Sequence, residues 1–195
     1  MATRRIREFL TGSKVSFATI DHKCAFTASE VAESSHVPGR YMAKTIVVNL
    51  DGRLALVVVA ATQFVDLKKL RHETGAAQVH LADESDFRDQ FDGCQIGAVP
   101  PFGNLFGIET YMDRGLVRQE HIAFNAGTHT TVFVVRYCDY VRLAGPRVID
   151  AALDNSTINR RRRDADGQVQ PDSLFTKPLP QAQCGRPVED RAGAD

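Results

Sequence analysis

The sequence predicts a mixed α+β domain with a tail, and three observations carry that prediction. Short β-prone runs outnumber helical patterns and alternate with them irregularly, unlike the regular alternation of a doubly wound sheet. Cap and turn residues punctuate the runs at Thr27, Asp51-Gly52, Asp66, Gly75 and Gly93. After about Asp154 the composition shifts to an arginine run, Asn159 to Asp164, and then to Pro, Gly, Gln and Asp. Such a segment lacks the apolar surface that offsets ordering entropy, so it is expected to be a disordered tail. The expected division is a domain over 1–150 and a tail over 151–195.

Each element follows from local chemistry. Ile6, Phe9 and Leu10 share one face of a first helix, about Thr3 to Leu10, which Gly12 stops. Val15 to Ile20 alternates as a strand does. Thr27-Ala28-Ser29-Glu30 has capping-box spacing and opens a helix that ends at His36-Val37-Pro38-Gly39. Thr45 to Leu50 and Leu54 to Ala60 are β-prone, and Asp51-Gly52 between them is a two-residue hairpin signal. Asp66 caps a helix carrying Leu67 and Leu70, with Gly75 as its stop. A strand at Val79 to Leu81 precedes a helix capped by Ser85, with Phe87 and Phe91 on one face and Gly93 closing it. Further strands are expected at Cys94 to Val99, Gly107 to Tyr111, His121 to Asn125 and Thr130 to Arg136. A last helix spans about Tyr137 to Leu143.

Composition narrows the function. The chain has 195 residues, room for one domain whose core of about 150 residues buries roughly two-thirds of its unfolded surface. Twenty-four basic and twenty-four acidic residues cancel, which argues against a strongly basic nucleic-acid binder. Cys24, Cys94, Cys138 and Cys184 are scattered without metal-ligand spacing, so a reduced protein is expected, with the first three thiols buried. No run is long enough to span a membrane, and no apolar segment follows Arg4-Arg5 as a leader requires. The expectation is a cytoplasmic protein with no metal and no organic cofactor.

The candidate chemistry lies at the rims of apolar runs. Period two puts Lys44 in line with Ile46, Val48 and Leu50, so it either snorkels at the strand end or holds a ligand anion. Gly97-Ala98-Val99-Pro100-Pro101-Phe102-Gly103 is a stiff loop, since both prolines fix φ and the glycines allow close approach. The N–H groups of Ala98, Val99, Phe102 and Gly103 are its candidate donors to a carbonyl or oxyanion. His129, after Gly127-Thr128, aligns with Thr131, Phe133 and Val135 and is either structural or a substrate contact. His22 and Asp113 are weaker candidates, with a turn histidine and a strand-end aspartate as the plain alternatives. No nucleophile elbow, phosphate loop or dinucleotide fingerprint is present.

Taken in order, Ala43-Lys44-Thr45-Ile46-Val47-Val48, Gly97 to Gly103 and Asn125-Ala126-Gly127-Thr128-His129 resemble the YbaK and prolyl-tRNA synthetase insertion-domain family of aminoacyl-tRNA editing proteins. The resemblance covers roughly residues 1 to 150. It implies a mostly antiparallel, barrel-like sheet with flanking helices, and a deacylase that hydrolyses the 3′-end ester of mischarged tRNA. It further implies that Lys44 contacts the tRNA 3′ end, that Gly97 to Pro101 lines the catalytic pocket, and that Gly127 to His129 frames the aminoacyl group. Thr45 follows the lysine as in many free-standing members, where alanine-editing members carry asparagine.

The partners implied are aminoacyl-tRNA and a synthetase, with Arg160 to Arg163 as a candidate tRNA contact. The site expected from residues and resemblance together is Lys44, Gly97, Pro101 and Gly103 for catalysis. Thr45, Ala98, Val99, Pro100, Phe102, Gly127, Thr128, His129 and His22 are expected to bind substrate. Two alternatives stand beside it: a tRNA- or synthetase-binding module without hydrolysis, and a small-molecule esterase.

Overall fold

The computed structural model describes residues 2–153. The arginine run and Cys184 lie outside the described residues. Eight strands form one mixed sheet: β1 (Phe17–Asp21), β2 (Met42–Leu50), β3 (Arg53–Ala60), β4 (Val79–Leu81), β5 (Glu109–Asp113), β6 (His121–Asn125), β7 (Thr131–Arg136) and β8 (Arg147–Ile149). Their order is β1-β7-β6-β2-β3-β5-β8, with β4 pairing on β2. Pairings β1–β7, β6–β7, β2–β3 and β2–β4 are antiparallel, while β2–β6, β3–β5 and β5–β8 are parallel. The helices are α1 (Ala2–Gly12), α2 (Ala28–Ser34), α3 (Leu67–Thr74), α4 (Glu84–Phe87) and α5 (Tyr137–Ala144). The α+β expectation holds.

Local signals account for most of these elements. Thr27 caps α2 through a reciprocal box with Glu30, and Asp66 caps α3 by accepting from Lys68 and Lys69. Gly75 closes α3 in the left-handed region at φ 71°. Asp51 and Gly52 both take positive φ between Leu50 and Arg53, the primed turn that matches strand twist.

Four expectations need correction. Asp83, not Ser85, precedes α4, its N–H donated to the Asp86 carboxylate, so Ser85 lies inside that helix. Cys94 to Val99 is not a strand, because Ala98 N–H folds back onto Gln95 O and Gly97 sits at φ 82°. β8 was not expected. Cys24 is exposed, and Cys94 and Cys138 are only partly buried.

The largest core cluster packs α1 and α5 on one face of the sheet, with Ile6, Leu10, Phe102, Phe124, Phe133 and Tyr140 all buried. The chain stays packed past residue 150. Asp113 is buried and accepts from Gly115 through Oδ1 and from Ala151 and Ala152 through Oδ2, at 2.8–2.9 Å. The strap it holds bonds along residues 64–66, with Asp66 N–H on Ala151 O and Leu153 N–H on Phe64 O. The plain reading of Asp113 is the right one: it is a structural clamp at a strand end.

Candidate active site

β2 has one continuous neighbour, β3, along one edge. Its other edge is shared. β6 pairs there only at Met42 and Ala43, and β4 only from Val48 to Leu50. Odd-numbered residues turn their main-chain groups toward this edge, as Tyr41 O accepting from Ala123 and Val47 O accepting from Ala82 show. Thr45 lies between them, beyond the last paired residues. Its main-chain N–H therefore faces the opening with no ladder partner.

Lys44 stands at this opening. It falls one position past the Ala43–Phe124 pair, so it lies alongside Asn125 on the face that Met42 and Ala123 share. The Lys44 side chain is partly buried, and its ammonium sits 4.7 Å from the centre of the Phe64 ring. No carboxylate pairs with it among the described residues. Burial accordingly holds its pKa below the ordinary lysine value.

The Gln95–Val99 segment runs along the opening. Gln95 N–H bonds to Gly127 O and Gly127 N–H to Ala98 O, while Val99 packs in the cluster that contains Val47. His129 is buried against it. Gln95 Oε1 accepts the His129 main-chain N–H at 2.7 Å, and Nε2 lies 2.8 Å from Ile96 O. A neutral ring makes that contact only with its proton on Nε2, leaving Nδ1 a bare acceptor. Phe26 covers the ring at 4.9 Å, and a Cβ on Gly97 would stand 3.5 Å from Cε1. His22 joins through its main-chain N–H to Thr130 O. Its Nδ1 lies 2.7 Å from Lys23 O, and its Nε2 is buried without a partner among the described residues.

The polar atoms left over are concentrated here. Among the described residues, six buried side-chain atoms lack a partner, and five of them belong to His22, Thr45, Asn125, Thr128 and His129. An unpaired buried polar group costs about 1–3 kcal/mol. Buried polar atoms of this kind are satisfied by ordered water, an ion or a ligand.

The structure divides the expected site residues. Hydrogen bonds tie the segment that holds Gly97, Ala98 and Val99 to Gly127 and His129, and His22 to Thr130, beside the β2 edge where Lys44 and Thr45 stand, while Gly127 itself packs on Ala2 of α1. The rest of the loop is committed elsewhere. Phe102 is buried against Phe9, Phe124 and Tyr140, and Pro101 O accepts the Tyr140 hydroxyl. Phe102 N–H bonds to Pro100 O, and Gly103 N–H to Thr110 Oγ1. Gly103 is a glycine because a Cβ would strike the Ile108 carbonyl.

Ala98 N–H is likewise engaged. Of the four donors expected from sequence, only Val99 N–H has no partner among the described residues. Gly97 N–H, not expected, is also without one, as is Thr45 N–H. Pro101 and Gly103 thus anchor the loop rather than face the opening. Cys94 is no nucleophile candidate, since burial pushes its thiol up to about 11.

Sequence reasoning missed three residues. Asn125 stood in a quoted motif without a role, and neither Phe26 nor Phe64 belongs to a periodic pattern. No signal marked them beforehand.

The model of the aminoacyl-tRNA editing domain matches residues 22–143, which include every residue around the opening. The chain belongs to that family. The editing domain is 28% identical over 152 residues to the multifunctional Ser/Thr-tRNA deacylase ProXp-y of Escherichia coli strain K12, covering 75% of this chain and 90% of that protein. The O157:H7 counterpart matches to the same extent. Among solved structures, a proposed trans-editing enzyme for prolyl tRNA synthetase superposes with a TM-score of 0.68 at 22% identity, over 78% of this chain and 98% of the other. An epitope-grafting scaffold superposes at 0.69 and 21%, over 78% and 97%. At these identities the two structures speak for the fold.

Proposed function

We propose that this editing domain removes the amino acid from mischarged tRNA in trans, by hydrolysing the ester at the tRNA 3′ end. The observation that carries the reading is the unpaired, partly desolvated Lys44 ammonium at the rim of an opening lined with unpartnered polar atoms. A cation held without a counter-ion is a site for a phosphate or ribose oxygen, and Lys44 orients the ester by gripping the terminal nucleotide. The free N–H groups of Gly97, Val99 and Thr45 are the candidate donors to the oxyanion that forms as water attacks. Donors of that kind are each worth about 2.7–4 kcal/mol.

The aminoacyl ester is already activated, so an oriented water suffices. The neighbouring ribose hydroxyl of the tRNA positions that water, and a cysteinyl group would attack with its own thiol. The aminoacyl class follows from the leftover acceptors. Thr45 Oγ1, Thr128 Oγ1 and the bare Nδ1 of His129 match a small side chain bearing a hydroxyl, in keeping with the Ser/Thr specificity in the relative's name. A synthetase that cannot reject a near-isosteric amino acid would supply such a substrate.

The test is a deacylation panel with Ala-, Ser-, Cys-, Thr- and Pro-tRNA, run beside Lys44→Ala. Lysine-dependent hydrolysis of the Ser and Thr esters is the expected result. Intact esters with retained tRNA binding would replace this reading by a binding module without hydrolysis.

A further inference from the structure

Phe64 is unusual in being an exposed aromatic ring on a fixed backbone. Half of its surface is open to solvent, although burial of a phenylalanine is strongly favourable. Its position is not the accident of a loose loop. Gln63 N–H bonds to Ala60 O just before it, Leu153 N–H bonds to Phe64 O, Val65 bridges Ala152, and Asp66 N–H bonds to Ala151 O. Asp113 holds the strap on the other side of these bonds. The ring faces the Lys44 ammonium at 4.7 Å, and no second aromatic ring among the described residues covers it. The protein thus presents a half-exposed ring on a hydrogen-bonded backbone, with the Lys44 ammonium over it.

We propose that Phe64 is the stacking platform for the terminal base of the tRNA, and that it works as a pair with Lys44, the base on the ring and the sugar-phosphate on the ammonium. The inference rests on the deacylase reading above and adds to it the subsite for the nucleotide base. A flat base over an aromatic ring needs no hydrogen-bond readout, which suits a 3′ end common to all tRNAs. Charge and π-face together select a nucleotide over an amino-acid side chain. An aromatic aminoacyl group would satisfy the ring and leave the ammonium unpaired. The contact also supplies affinity that a chain of zero net charge cannot draw from phosphate attraction alone.

The chain has no tryptophan, so Phe64→Trp introduces a single fluorescent reporter at the proposed platform. Full-length protein is titrated with uncharged tRNA and with the same tRNA carrying 2-aminopurine as its last base. Stacking quenches the introduced indole in the first titration and the 2-aminopurine in the second. In deacylation, Phe64→Ala and Phe64→Leu should raise KM about tenfold with kcat little changed, and Phe64→Trp should restore it. Leucine keeps the bulk and loses the π-face, so recovery by leucine would overturn the proposal, as would fluorescence that tRNA leaves unchanged. If wild-type protein hydrolyses no ester but tRNA still quenches the Phe64→Trp variant, the platform stands and the deacylase reading falls. Lysine-dependent hydrolysis that ignores every Phe64 variant reverses that outcome.

Discussion

At the hairpin end of β2, Asn49 Oδ1 accepts the Gly52 N–H at 2.7 Å, and the Asp51 carboxylate accepts from Ala77 and Gln78 at 3.0 and 2.7 Å. At the other end of the same strand, among the described residues, Lys44 has no counter-ion and Thr45 Oγ1 has no partner, and the parallel ladder stops at Ala43, well before the β4 pairs begin at Val48. One end is satisfied by its own chain. The other leaves its polar groups unpartnered among the described residues. One strand can therefore carry a self-satisfied end and an open end. The two are told apart by where the hydrogen bonds go, not by the side chains alone.

The sharpest way to break this contrast is at Lys44. Lys44→Met should lower deacylation by about a hundredfold, the scale on which lost positioning acts. Its melting temperature should equal or exceed that of the wild type, since a desolvated, unpaired charge is removed and its apolar stem kept. A loss of stability in step with activity would place Lys44 with the structural residues. At the hairpin end the pattern should invert. Asn49→Ala should cost about 1 kcal/mol in urea unfolding and leave kcat/KM unchanged.

Acid and alkali should act on opposite ends. Burial lowers the Lys44 pKa, so the folded chain carries a penalty while the ammonium is charged. Stability should rise as pH climbs through that lowered value, and deacylation that needs the cation should fall over the same window. Asp51 is lowered by the Gln78 and Ala77 N–H groups, so its contribution is present above the ordinary aspartate value and is lost as pH falls through the folded one. Lys44→Met should abolish the alkaline gain and Asp51→Asn the acid loss, both readable in thermal melts across pH. The smallest effect expected is that of the tail. Deleting residues after Asp154 should leave kcat intact, raise KM a few-fold and flatten its salt dependence. Unchanged salt dependence would remove Arg160 to Arg163 from the account of tRNA binding.

What was legible in the sequence was what neighbours in the chain decide. The Thr27 box, the Asp66 cap, the Gly75 stop and the Asp51-Gly52 turn are each written within four residues and appear as read. Lys44 was legible because strand alternation placed it in an apolar row. The loop was half legible. Its rigidity is evident from two prolines, but whether Phe102 and Gly103 face solvent or the core depends on Tyr140 and Thr110, which come later in the chain. β8 is three residues pairing with a strand over thirty positions away, and no local pattern announces it. Phe64 is the extreme case, a lone ring whose meaning comes entirely from Lys44 across the sheet and from the strap beneath it.

The Asp113 clamp also fixes an address. Because it pins residues 151 and 152 and the next N–H bonds to Phe64, the polypeptide leaves the described fold at the mouth of the proposed site. Any affinity tag, fluorophore or fused domain attached after Leu153 starts its journey beside that ring. A label placed there is a proximity probe for whatever docks, and a bulky one is an obstacle to it.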